Sequence, residues 1–158
     1  MKAKVYVETT VVSYLTARPS RDIVIAGHQQ ITHDWWQICH EKFDLVASQL
    51  VVQEASAGDQ EAAQERLDVL NTMTLLGVTE DAEALARDLV KAGALPEKAP
   101  EDALHIAIAV TNGVEYLVTW NFRHIANATV RARIEEVCRS EGYEPAIICT
   151  PEELLEVE

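Results

Sequence analysis

Residues 100–124 read PEDALHIAIAVTNGVEYLVTWNFRH, one helix followed by one buried strand with polar groups kept to the ends. Pro100 suits the first helical position, and Glu101 and Asp102 complement the positive end of the helix dipole. Ala103, Ile106, Ala107 and Val110 form an apolar stripe that Leu104 and Ile108 widen, and Asn112-Gly113 ends it. The run from Val114 to Val118, bounded by Thr119-Trp120-Asn121, predicts a strand inside an α/β sheet. A helix that crosses back over parallel strands starts at their C-terminal edge. Asp102 and Asn121 are therefore expected to meet at that edge, where open α/β sheets bind ligands.

Upstream, Lys4 to Glu8 predicts a first strand, and Val11, Val12 and Leu15 a short helix that stops near Arg18-Pro19. Ser20 is the expected N-cap of a helix running to about His40, with Val24, Ile31, Trp35 and Ile38 on one face. Phe43 to Ala47 reads as a second strand, Ser48 as the cap of a helix through Glu54, and residues 60–71 as another helix. Met73 to Leu76 predicts a third strand, and Thr79 caps a helix ended by Gly93 and Pro96. Downstream, Asn127 caps a helix closed by Gly142, Ala146 to Thr150 is a last strand, and Pro151 opens a short acidic helix. Strands alternating with helices imply an α/β fold, a parallel sheet with helices on both faces. No repeat, linker or composition shift divides the chain, so residues 1–158 are read as one domain.

The chain has 158 residues, 48% of them hydrophobic and 25% charged, the balance of a globular domain. No apolar run reaches the roughly 20 residues that a membrane span needs. No signal-peptide pattern precedes the first strand, so a cytoplasmic location is expected. Cys39, Cys138 and Cys149 are far apart and show no CxxC or Cys/His spacing, so they read as buried free thiols and not as zinc ligands. A net charge of −13 argues against a broad basic face for nucleic acid, though not against an enzyme that reaches phosphates through metal ions. Part of that excess, Glu152, Glu153, Glu156 and Glu158, sits in a tail expected to be solvated.

The usual α/β signatures are missing: no GxGxxG, no GxxxxGK[ST] and no GxSxG. What remains is acids at one edge. Glu8 closes the first strand, Glu54 shares a helix face with Leu50 and Val51, Asp102 opens the organising helix and Asn121 follows its strand. Carboxylates gathered in a cleft repel one another unless a cation intervenes, and a hard divalent ion does so with oxygen ligands. Such an ion polarises a phosphodiester and activates water, so the pattern points to metal-assisted phosphodiester hydrolysis. The plainer alternatives are dipole partners for the acids and a Lys or Arg partner for Glu54.

Together, VYVETTVVSYL, QLVVQE, EDALHIAIA and YLVTWNFRHI, in that order, resemble a PIN domain, the fold of VapC-type toxin ribonucleases. The resemblance covers nearly the whole chain. It implies a three-layer α/β sandwich with a central parallel sheet of order 3-2-1-4-5, and an endoribonuclease dependent on Mg²⁺ or Mn²⁺. It also implies an antitoxin partner, a homodimer and the toxin role in a type II toxin–antitoxin pair. By position, Glu8, Glu54 and Asp102 match the first three family acids, and Asn121 the usual fourth. Two of these depart from the pattern: Glu8 is one methylene longer than the usual Asp, and Asn121 is neutral. A binding or regulatory module with weakened catalysis is the alternative, and a phosphohydrolase acting on small phosphates a second.

Around these, Thr9, Arg123 and His124 are candidate substrate contacts, with Arg18 and Arg21 of the same kind. His105, one turn after Asp102, is either a hydrogen-bond partner at the site or a structural histidine. Trp35 is expected in the core, Trp120 beneath the rim, and Trp36 at a partner or dimer interface.

Overall fold

The computed structural model describes residues 1–155, so Glu156 and Glu158 of the acidic tail lie outside the described residues. Five strands, β1 (Ala3–Val7), β2 (Phe43–Ser48), β3 (Thr74–Leu76), β4 (Tyr116–Val118) and β5 (Ile147–Cys149), form one parallel sheet. Their order is β3-β2-β1-β4-β5, as the resemblance implied. In the central strand Val5 pairs with Leu45 on one side and Tyr116 on the other. Val5, Tyr6 and Val7 are consequently fully buried, which is why this strand is apolar at successive positions.

Four helices fill the crossovers leading outward from β1 to β3: α1 (Thr9–Thr16), α2 (Ile23–Lys42), α3 (Gln49–Ala55) and α4 (Gln60–Leu70). Three more, α5 (Glu80–Lys91), α6 (Pro100–Thr111) and α7 (Ala128–Ser140), fill those leading through β4 to β5. The two directions of travel, each through right-handed crossovers, put the two groups on opposite faces. The contacts agree: α1 packs on α2, α3 and α4, while α5 packs on α6 and α7. A 3₁₀ turn, Pro151–Leu154, follows β5 and packs on α2.

The strands β1, β2, β3 and β5 depart from the expected bounds by one residue at one end or both, and two further boundaries differ in what sets them. Asp22, not Ser20, caps α2, its carboxylate accepting from the Val24 and Ile25 amides; Ser20 instead accepts from the Asp22 amide. β4 starts at Tyr116, not Val114. Gly113, at φ +68°, reverses the chain after α6, and the Val114 amide returns to the Ala109 carbonyl, closing the helix end. Trp35 is in the core, and Trp36 is half-buried, packed edge-on to His40.

Candidate active site

Glu8, Asp102 and Asn121 stand where their elements meet the C-terminal edge of the sheet, and Glu54 stands on the helix that starts there after β2. Glu8 is the first residue past β1, and its amide continues the ladder to the Val118 carbonyl. It is also the N-cap of α1, its Oε2 accepting from the Thr10 amide at 3.2 Å. Oε1 accepts from two hydroxyls, Thr10 and Thr119, each at 2.5 Å. Those hydroxyls accept in turn from the Trp120 and Asn121 amides. Only 3% exposed, Glu8 therefore ties the start of α1 to the loop after β4. Its extra methylene carries the carboxylate between these hydroxyls. Hydroxyls are the commoner choice for such a cap; here the carboxylate takes it and the hydroxyls serve the carboxylate.

Glu54, on α3, places Oε1 against the Thr9 hydroxyl at 2.5 Å and His105 Nε2 at 2.7 Å. Burial opposes its ionisation, but the hydrogen bonds from His105 and the Thr9 hydroxyl outweigh that and hold the carboxyl below its ordinary range. Asp102 stands in the first turn of α6, beside the positive helix end. Its Oδ1 accepts from Asn121 Nδ2 at 3.1 Å, and its Oδ2 lies 2.7 Å from His124 Nδ1. Asn121 uses its own carbonyl oxygen to accept the His124 amide, an Asx-type turn that fixes the loop.

Glu8, Glu54, Asp102 and Asn121 together line one cleft of ≈ 330 Å³, with Thr9, Thr10, Ser13 and Tyr14. A larger hollow of ≈ 420 Å³, near the N-terminal ends of β1 and β2, is lined by Lys4, His40, Asp44 and neighbours and gathers no such set. The cleft's ligand atoms are carboxylate oxygens, the donors a hard divalent ion takes. Among the described residues Glu54 Oε2 has no hydrogen-bond partner, and Glu8, Glu54 and His105 bring one ligand atom each within 4.8 Å of one another. The residues fit such an ion.

No protein-family profile matches the chain, and no curated protein matches it. Solved structures do. One is VapBC2 from Rickettsia felis bound to a DNA fragment from its promoter: 15% identity, TM-score 0.60, covering 92% of this chain and 96% of that one. Another is VapC20 of Mycobacterium tuberculosis, a toxin that cleaves the sarcin–ricin loop: 15% identity, TM-score 0.58, covering 77% and 93%. The fold is a VapC-like PIN fold. At this identity the likeness is one of fold alone.

Several other candidates separate here. Thr9 and His124 reach the acids, whereas Arg123 is exposed and contributes its carbonyl to Asn127. Arg18 lines a different groove, with Asp59, Glu61 and Arg66. No lysine or arginine pairs with Glu54 among the described residues; its partner is His105, across from α6. Trp120 is buried beneath the rim, its indole donating to Thr32 and its ring stacked on Tyr14 and on His28. Sequence reading passed over Thr119, Tyr6 and Tyr14. Thr119 stood in plain view as a strand-end hydroxyl two residues before Asn121, the one signal available.

Proposed function

We propose that this cleft hydrolyses RNA phosphodiester bonds with the help of Mg²⁺ or Mn²⁺. The observation that carries the reading is the convergence of Glu8, Glu54 and Asp102, from three separate elements, in one cleft at the ligand-binding edge of a PIN fold. RNA as substrate is supported by the cleavage of the sarcin–ricin loop by VapC20. A toxin role with a protein antitoxin is supported by the likeness to VapBC2. The same reading makes the chain a single cytoplasmic domain over residues 1–158, acting as a homodimer.

Glu54, Asp102 and Glu8 would hold the ion, with Asn121 at the rim. When bound, the ion supplies a Lewis acid for the phosphodiester and a more acidic water. The chain's own residues do the orienting. Asn121 and His124 fix the two oxygens of Asp102, and Thr9 and His105 fix Oε1 of Glu54. Glu8, with both oxygens held by protein donors, orients the chain segments on which the other acids' partners stand.

That last arrangement also favours a second reading, a PIN-fold binding or regulatory module in which Glu8 and Asn121 have become structural. One experiment separates the two. Purified protein and an Asp102→Asn variant are incubated with a mixed RNA pool in Mn²⁺, in Mg²⁺ and in EDTA. Cleavage that needs the ion and vanishes in the variant is expected. No cleavage by folded protein in any condition would sink the nuclease reading and leave the module.

A further inference from the structure

His105 is fully buried on α6, three residues past Asp102, and the proposed chemistry so far gives it only a bond to make. Its surroundings say more. Nε2 faces Glu54 Oε1 at 2.7 Å, and Nδ1 faces the Tyr6 hydroxyl at 2.8 Å. Tyr6 Oη in turn lies 2.8 Å from Ser48 Oγ, which accepts the Val51 amide as the N-cap of α3, the helix that carries Glu54. Tyr6 and Ser48 are fully buried as well.

Counting protons assigns the roles. Ser48 Oγ already accepts an amide, so its own proton needs an acceptor, and Tyr6 Oη is the one within reach. Burial pushes the Tyr6 hydroxyl far above its ordinary value, so it keeps its proton. That proton goes to His105 Nδ1, which therefore accepts, and the imidazole proton sits on Nε2 and goes to Glu54. The chain Ser48→Tyr6→His105→Glu54 uses every donor, while the reverse direction leaves the Ser48 proton without an acceptor. An Nε2 that carries a proton has no lone pair for a metal. His105 is thus no ligand, although its nitrogen lies with the oxygens of Glu8 and Glu54.

We infer that His105 is a positioning residue for Glu54: held in one tautomer by Tyr6 and Ser48, it occupies one carboxylate oxygen and leaves the other for a cation. The inference rests on the reading of the cleft as a metal-dependent nuclease site. Partners of this kind behind a ligand change metal affinity on the order of 10–100-fold when removed.

The test has two arms. On metal-free protein, the ¹⁵N shifts of the His105 ring report its tautomer whether or not the protein cuts RNA. The Nε2–H form is expected in the wild type and a mixture in Tyr6→Phe; an Nδ1–H wild type overturns the inference. In the second arm, Mn²⁺ affinity is measured by calorimetry. His105→Leu should bind about 10–100-fold more weakly, and His105→Gln, whose amide again donates to Glu54, should recover to within about 3-fold of wild type. Leu binding like wild type, or Gln as weak as Leu in a protein of native thermal stability, overturns the inference. If the wild type binds no Mn²⁺ and cuts no RNA, the nuclease reading falls, and the ring shifts alone decide what His105 does.

Discussion

Replacing Glu8 by Ala tests whether this carboxylate is a structural clamp before it is anything else. The substitution removes the cap on the Thr10 amide, which costs about 1 kcal/mol. It also strips the carboxylate acceptor from the Thr10 and Thr119 hydroxyls, about 2 kcal/mol each for bonds to a charged group. Against this stands repulsion from Glu54, whose ligand oxygen lies within 4.8 Å; at the effective dielectric of a protein site its relief returns about 3 kcal/mol. The hydrogen bonds win, with a net loss of about 2 kcal/mol, or a Tm about 4–8 °C lower for a chain of this size. The assay is urea and thermal unfolding in EDTA, where no bound ion contributes. Glu8→Gln removes the same charge but keeps one acceptor oxygen, so it should fall between the two. Glu8→Ala as stable as wild type, or more stable, would refute the reasoning and show that repulsion dominates this carboxylate.

The other tests are shorter. Glu54 has a lowered pKa when folded, so the stability it contributes is present above the ordinary carboxylate value of 4.5 and lost as pH falls through its lower folded value. Urea midpoints in EDTA between pH 6 and acid should therefore drop more for wild type than for Thr9→Val, and equal drops would count against the Thr9 bond. Asn121→Asp puts a carboxylate where an amide now donates to Asp102, so it should lower stability in EDTA yet tighten Mn²⁺ binding in calorimetry. An unchanged Mn²⁺ affinity would remove Asn121 from the metal's surroundings. The three cysteines are buried, and burial pushes their thiols up to about 12, 11 and 12 for Cys39, Cys138 and Cys149. A thiol reagent at neutral pH should label none in the native protein and all three in urea.

Apolar spacing located the helices and strands, because burial of a helix stripe or a central strand depends on nearest neighbours along the chain. Polar partners were less legible. Both Ser20 and Asp22 are good caps, and only the entry angle of α2 selects Asp22. His105 was placed on the face of Asp102, which is right for the helix, but helical spacing does not say which element faces it. Packing brings α3 there, so its partner is Glu54. Thr119 and Glu8 are 111 positions apart and meet only through the parallel pairing of β1 with β4. The sheet order itself came from the resemblance, since strand alternation alone fits several orders.

The choice of partners for the three acids has an electrostatic consequence. Among the described residues no lysine or arginine pairs with Glu8, Glu54 or Asp102; they are held by hydroxyls, amides and imidazoles. A guanidinium in the cleft would orient the carboxylates and cancel their charge at once. Hydroxyl and amide donors orient without cancelling, so the negative potential stays directed into the cleft. Asn121 belongs to the same logic. As an amide it can donate to Asp102 with no cation between them, which a fourth carboxylate could not do. The cost is one charge fewer to attract the ion. The arrangement thus favours acids that the chain's own donors order over the strongest possible attraction for a cation.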